Sequence, residues 1–149
     1  MARPYVPSMI VREIRARSIL SPSRIYGVNY AANPYTGCGH GCAYCYARFT
    51  FLRMNLDPTD WGTIVMPKIN AGSLIRREVL SKKRGIVLLS SVTDPYQWLE
   101  RKYMLTRSIV EVLARRGWPI VVLTKSDLVL RDLDTVSYTH LTLPTTERV

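Results

Sequence analysis

All the cysteines of this chain fall within one run of eight residues, Cys38-Gly-His-Gly-Cys42-Ala-Tyr-Cys45, with C-x3-C-x2-C spacing and no fourth cysteine anywhere. Three thiolates on so short a loop can hold three irons of a [4Fe–4S] cluster. The fourth iron is then left without a protein ligand and open to a small molecule. The loop therefore points to chemistry rather than to structural support.

Rival readings of the loop are weaker. A structural zinc site takes four protein ligands, and His40 and His140 are the only histidines. His40 sits cramped between two glycines inside the loop, and His140 lies in an anomalous tail. An odd cysteine count weighs against disulfides, as does an arginine-interrupted N-terminus without a hydrophobic signal core. Zinc and a chance grouping of structural thiols stay open as alternatives at this point. Gly37, Gly39 and Gly41 free the backbone to wrap a bulky group and aim amides at it. Tyr44 either packs in the core or faces a ligand.

Along the chain, residues 1–27 read as a basic lead-in broken by Pro4, Pro7 and Pro22. A short strand over 28–32 feeds the cysteine loop. A helix is expected over 43–54, with Tyr46, Phe49 and Leu52 on one face. A turn-rich stretch over 55–61 leads to a strand over 64–69. A helix over 71–81 carries Leu74, Ile75, Val79 and Leu80 on one side. Residues 86–91 form a continuous apolar run, the mark of a strand buried on both faces of a parallel sheet. Asp94-Pro-Tyr-Gln97 is a capping-box variant opening a helix to Arg116, with Tyr103, Ile109, Val110 and Leu113 on its apolar side. Gly117 ends it. A second buried strand over 119–124 follows, and Ser126 or Asp127 caps the next helix. Alternating strands and helices imply right-handed βαβ units, an α/β fold and a parallel sheet. Ligands in such sheets sit where strands end and helices begin. The cysteine loop, residues 90–94 and Thr124-Lys125-Ser126 all fall at those ends.

The net charge is +10, from 21 Lys and Arg against 11 Asp and Glu. That excess favours polyanionic partners, nucleic acid first. Each basic group on its own reads as a solvated helix face. No apolar run approaches the ~20 residues of a membrane helix, so no membrane partner is expected. The expected compartment is the cytoplasm, where thiols stay reduced.

Cys38-x3-Cys42-x-Tyr44-Cys45, with an aromatic before the third cysteine, resembles the signature of the radical S-adenosylmethionine superfamily. Three longer strings resemble its spore photoproduct lyase-like branch. They are Asn33-Pro-Tyr-Thr-Gly-Cys-Gly-His-Gly-Cys-Ala-Tyr-Cys-Tyr-Ala-Arg48, Thr93-Asp-Pro-Tyr-Gln97 with Leu99-Glu-Arg-Lys-Tyr103, and Thr124-Lys-Ser126 with Leu130-Arg-Asp-Leu133. The resemblance runs over residues 18–134.

It implies a partial (β/α) barrel of the radical SAM type over residues 28–135, incomplete because only about three βα units are present. It also implies a cluster on Cys38, Cys42 and Cys45, with S-adenosyl-L-methionine on its open iron. The implied reaction is reductive cleavage of that cofactor to a 5′-deoxyadenosyl radical, with an electron donor such as flavodoxin or ferredoxin. Tyr44, Ser91, Thr93, Asp94 and Lys125 are the candidate cofactor contacts. For Asp94 the alternative is helix capping, and for Lys125 a solvated lysine. The usual glycine-rich amino-group motif after the second strand is not spelled out. Tyr96 and Tyr103 read as core residues. DNA photoproduct repair fits the branch and the charge, but the hydrogen-donor cysteine of such lyases is absent from these residues. The rival from another class is a basic nucleic-acid-binding protein with a structural or redox-sensing cluster; a zinc-binding fragment is a third.

Residues 136–149 break the pattern. They are threonine-rich with one proline and suit neither a helix nor a core. They are expected to be a disordered or artefactual tail, and the chain is expected to be the N-terminal portion of a larger domain.

Overall fold

The computed structural model describes residues 10–39, 49–57, 59, 61–136 and 140–142. Its elements run β1 (Ile10–Val11), β2 (Leu20–Pro22), β3 (Tyr30–Ala32), β4 (Tyr35–Thr36), α1 (Phe49–Arg53), β5 (Ile64–Pro67), α2 (Ala71–Ser81) and β6 (Val87–Leu89). They continue with α3 (Glu100–Tyr103), α4 (Leu105–Arg115), β7 (Ile120–Leu123), a 3-10 helix (Asp127–Asp132), α5 (Leu133–Val136) and β8 (His140–Thr142).

The larger sheet has the order β2-β3-β6-β7-β8. β3, β6, β7 and β8 are mutually parallel, with Tyr30 opposite Val87, Leu88 opposite Val121 and Val122 opposite Leu141. β2 pairs antiparallel with β3 and closes one edge. A smaller sheet, β1-β5-β4, pairs β5 parallel with β1 and antiparallel with β4. The described strands form these two sheets, and no closed barrel is made among them.

The sheet is buried as its apolar runs require. All of β6 is buried, as are Ile120 and Val122 of β7. Leu74, Ile75 and Val79 of α2 and Ile109, Val110 and Leu113 of α4 share one buried cluster with these strands. Their spacings, i, i+1, i+5 in α2 and i, i+1, i+4 in α4, put each set on one helical face. Leu80, expected on that face, is instead 67% exposed. Gly117 ends the α4 segment at φ +70°, which only glycine adopts without strain.

Other expectations need correction. The helix expected from Asp94 to Arg116 begins later and in two pieces, because Met104 takes a left-handed conformation at φ 53°. The Glu100 carboxylate folds back to accept the N–H groups of Thr106 and Arg107, capping α4 from outside it. In the helix before β5, Phe51 is the fully buried residue, while Leu52 is 63% exposed; Tyr46 lies outside the described residues. The lead-in is not irregular throughout: β1 and β2 lie within it, and Pro22 sits on the outer edge of the sheet, where its missing N–H does no harm. In the tail, His140–Thr142 pairs parallel with β7. Threonine-rich sequence resists helix but suits a strand, and β7 offers an open edge. Residues 137–139 and 143–149 lie outside the described set. Among the described residues no helix is long and apolar enough to cross a membrane.

Candidate cofactor site at the cysteine loop

Because β3, β6 and β7 are parallel, their C-terminal ends share one edge of the sheet. The chain leaves β3 through Asn33, makes β4, and enters the cysteine loop at Gly37. Gly37 has φ +86°, and a Cβ there would stand 2.4 Å from the carbonyl oxygen of Ile64. Only glycine lets the loop lie this close to β5. Cys38 follows and is buried beside Phe51, Trp61, Ile64 and Met66. Cys42, Cys45 and Tyr44 lie outside the described residues. Among the described residues no group of three or more His, Cys, Asp and Glu is placed to hold a metal.

The loop after β6 grips the cysteine loop. The Thr93 hydroxyl donates to the Gly37 carbonyl at 2.6 Å. Gln97, 1% exposed, accepts the Gly39 N–H on Oε1 at 2.8 Å. Its Nε2 donates to Thr93 Oγ1 at 3.0 Å and to the Gly37 carbonyl at 3.3 Å. Both neighbours of Cys38 are thus held by one buried amide. Asn33 does the reverse job: its Oδ1 accepts the N–H groups of Ser91 and Val92, each at 3.0 Å, and its Nδ2 donates to Ser91 Oγ at 3.1 Å.

Asp94 joins this assembly to the loop after β7. One carboxylate oxygen accepts the Tyr96 N–H at 2.8 Å and the Thr124 hydroxyl at 2.5 Å; the other accepts the Lys125 N–H at 2.9 Å. The buried carboxylate is therefore a brace between strand ends rather than the cap of a long helix. Ser91, Thr93, Asp94 and Lys125 all lie on this one edge, as expected.

Beneath it lies a buried charge network. Tyr35 donates to Glu100 at 2.5 Å, Arg131 donates to Glu100 at 2.9 Å, and Tyr96 donates to Asp132 at 3.0 Å. Arg131 and Arg107 both bond Asp132. Burial pushes the Glu100 carboxyl up, although four donors surround it. Burial also pushes Asp132 up, but the two guanidinium groups outweigh it and hold this carboxyl below its ordinary value. Tyr35 and Tyr96 are pushed up, first by burial and then by the facing carboxylates. Tyr96 is a core residue; Tyr103 is only half-buried and bonds Glu13 at 2.7 Å.

Sequence reasoning gave no site role to Asn33, Gln97, Glu100 or Trp61. The first three stand inside the strings that carry the resemblance, so a signal existed. For Trp61 there was none.

No family model matches the chain. Two relatives are similar to most of it: MJ0683 of Methanocaldococcus jannaschii, 39% identical over 122 residues, and Rv2578c of Mycobacterium tuberculosis, 40% identical over 111. Both are named as uncharacterized proteins. The matches cover 82% and 72% of this chain but only 45% and 33% of those proteins. Among solved structures, a mutant of spore photoproduct lyase matches at a TM-score of 0.61 and 17% identity, covering 89% of this chain and 38% of that one. A second, with bound AdoMet and dinucleoside spore photoproduct, matches at 0.59 and 16%, covering 91% and 38%. The likeness is one of fold. The chain spans less than half the length of each of these proteins.

Proposed function

We propose that this chain is part of a radical S-adenosylmethionine enzyme of the spore photoproduct lyase-like branch. The observation that carries the reading is the placement of the cysteine loop. Its described entry, Gly37–Gly39, is bonded to the loop after β6 at the C-terminal edge of a parallel sheet, in a chain whose fold is like that of spore photoproduct lyase. The donor chemistry fits: Cys38 is a soft sulfur ligand in an apolar pocket, on a loop held at Gly37 and Gly39.

In this reading Cys38, Cys42 and Cys45 hold a [4Fe–4S] cluster. When bound, that cluster would supply the electron for reductive cleavage of S-adenosylmethionine to methionine and a 5′-deoxyadenosyl radical. This chain's own residues position and exclude. Gln97 and Thr93 fix the loop that carries Cys38. Phe51, Ile64 and Met66 keep water from its thiolate. Asp94 fixes the loop after β7 and so sets the place of Lys125. Ser91, Lys125 and Tyr44 are the proposed contacts to the cofactor. The finer proposal is a nucleic-acid substrate, supported by the charge of +10 and by the photoproduct bound in the second matched structure.

The test is anaerobic reconstitution with iron and sulfide, followed by electron paramagnetic resonance of the reduced chain with and without S-adenosylmethionine. A reduced-cluster signal that the cofactor shifts, and that Cys38→Ala abolishes, is expected. A signal indifferent to the cofactor favours the redox or structural cluster. Zinc in place of iron refutes the reading.

A further inference from the structure

The apolar pocket that buries Cys38 contains a polar atom with no hydrogen-bond partner among the described residues. Trp61 is 5% exposed and packs edge-on against Phe51, with ring centroids 5.2 Å apart. Both belong to the buried cluster of Cys38, Ile64 and Met66. The Nε1 of Trp61 is buried and has no hydrogen-bond partner among the described residues. An indole N–H can only donate, and buried ones normally find an acceptor. A native orphan of this kind calls for a group that arrives later, such as an ion. Phenylalanine would fill the same pocket without the penalty of a stranded donor. The segment is also pressed against the loop: no side chain fits between Gly37 and the Ile64 carbonyl, three residues on from Trp61.

We propose that Trp61 is a positioning residue whose indole N–H donates to a sulfur of the centre held by the cysteine loop, either a thiolate or a bridging sulfide. The inference rests on the iron–sulfur reading above. Sulfur is a weak acceptor when neutral, but thiolates and sulfides on iron carry negative charge, which strengthens the bond. A donor to cluster sulfur stabilises the reduced, more negative state and so raises the reduction potential. Trp61 would then tune the centre as well as orient the loop.

The experiment is a redox titration, followed by paramagnetic resonance, of the reconstituted full chain as wild type and as Trp61→Phe. The variant keeps a ring to pack on Phe51 and loses only the donor. The expected result is a lower midpoint potential, by about tenfold in the one-electron equilibrium or ~59 mV, at unchanged iron content. An unchanged potential at full iron content overturns the inference and leaves the cluster reading standing. A wild type that binds no iron overturns both. Where the variant itself holds no iron, the wild type labelled with 15N-indole tryptophan decides. A 15N coupling in the pulsed spectrum of the reduced centre supports the bond, and its absence overturns it. Trp98 and Trp118 pack with the other buried cluster.

Discussion

Two glycines with nearly the same backbone angle allow the geometry of the cysteine loop to be tested directly. Gly37 has φ +86° and Gly27 has φ +83°. An alanine at either position bears the left-handed backbone penalty, ~1–2 kcal/mol. Around Gly27 nothing lies within 4 Å of the added carbon. At Gly37 the carbon meets the Ile64 carbonyl oxygen at 2.4 Å and Phe51 Cε1 at 3.4 Å. The first of these is backbone in a strand paired to β1 and cannot swing away. Overpacking of that kind adds ~1–3 kcal/mol. The expected losses are therefore about 2–5 kcal/mol for Gly37→Ala and about 1–2 for Gly27→Ala. At a typical urea slope of ~2 kcal/mol/M, the midpoint falls by about 1–2.5 M in the first and about 0.5–1 M in the second. Urea unfolding followed by circular dichroism reads both. Iron uptake after reconstitution should drop only in Gly37→Ala, since only there does relief of the clash move Cys38. Equal losses in the two variants would refute the close approach of loop and β5.

Three further outcomes are expected. Gln97→Leu should lose about 1–3 kcal/mol by stranding the buried Gly39 N–H, and the exchange of that amide with deuterium, followed by NMR, should speed up. Glu100→Leu should cost about 3–5 kcal/mol in urea unfolding, because Arg131 loses a buried anionic partner and α4 loses its cap. Asp132 is held below its ordinary value of 3.8, so its stabilising contribution is present above that value and lost as pH falls through the lowered one. The stability gap between wild type and Asp132→Asn should thus be full at neutral pH and shrink in acid, as read by urea midpoints across that range. Glu100, pushed up by burial, acts with the opposite sign: the titration-linked part of its stability declines as pH rises from the ordinary carboxylate value through the raised one, while the hydrogen bonds it accepts from Arg131 and α4 are kept.

Much of the frame was legible in the sequence. The helix over 71–81 matches α2, and the apolar runs around 86–91 and 119–124 mark β6 and β7. Those elements are long or fully buried, so period and composition alone identify them. The bend at Met104 was not legible, because nothing local demands it. It follows from Glu100, whose carboxylate must reach Tyr35 and Arg131 as well as the amides of α4. Asp94 shows the same limit. Its local pattern is a helix cap, yet its carboxylate serves Thr124 and Lys125, some thirty residues away.

The sequence by itself determined the class of sheet and the spacing of the three thiols along the chain. Three thiolates at C-x3-C-x2-C spacing and alternating apolar strands and amphipathic helices are properties of neighbours in the chain. Only the tertiary structure decided what holds Gly37–Gly39, the entry to the cysteine loop. The contacts of Gln97 with Gly39, Asn33 with Ser91 and Gly37 with Ile64 join residues separated by tens of positions. The same holds for the orphaned indole of Trp61, whose meaning depends on what lies beside it. Hydrogen bonding and close packing are short-ranged forces, and only folding brings such groups within their reach.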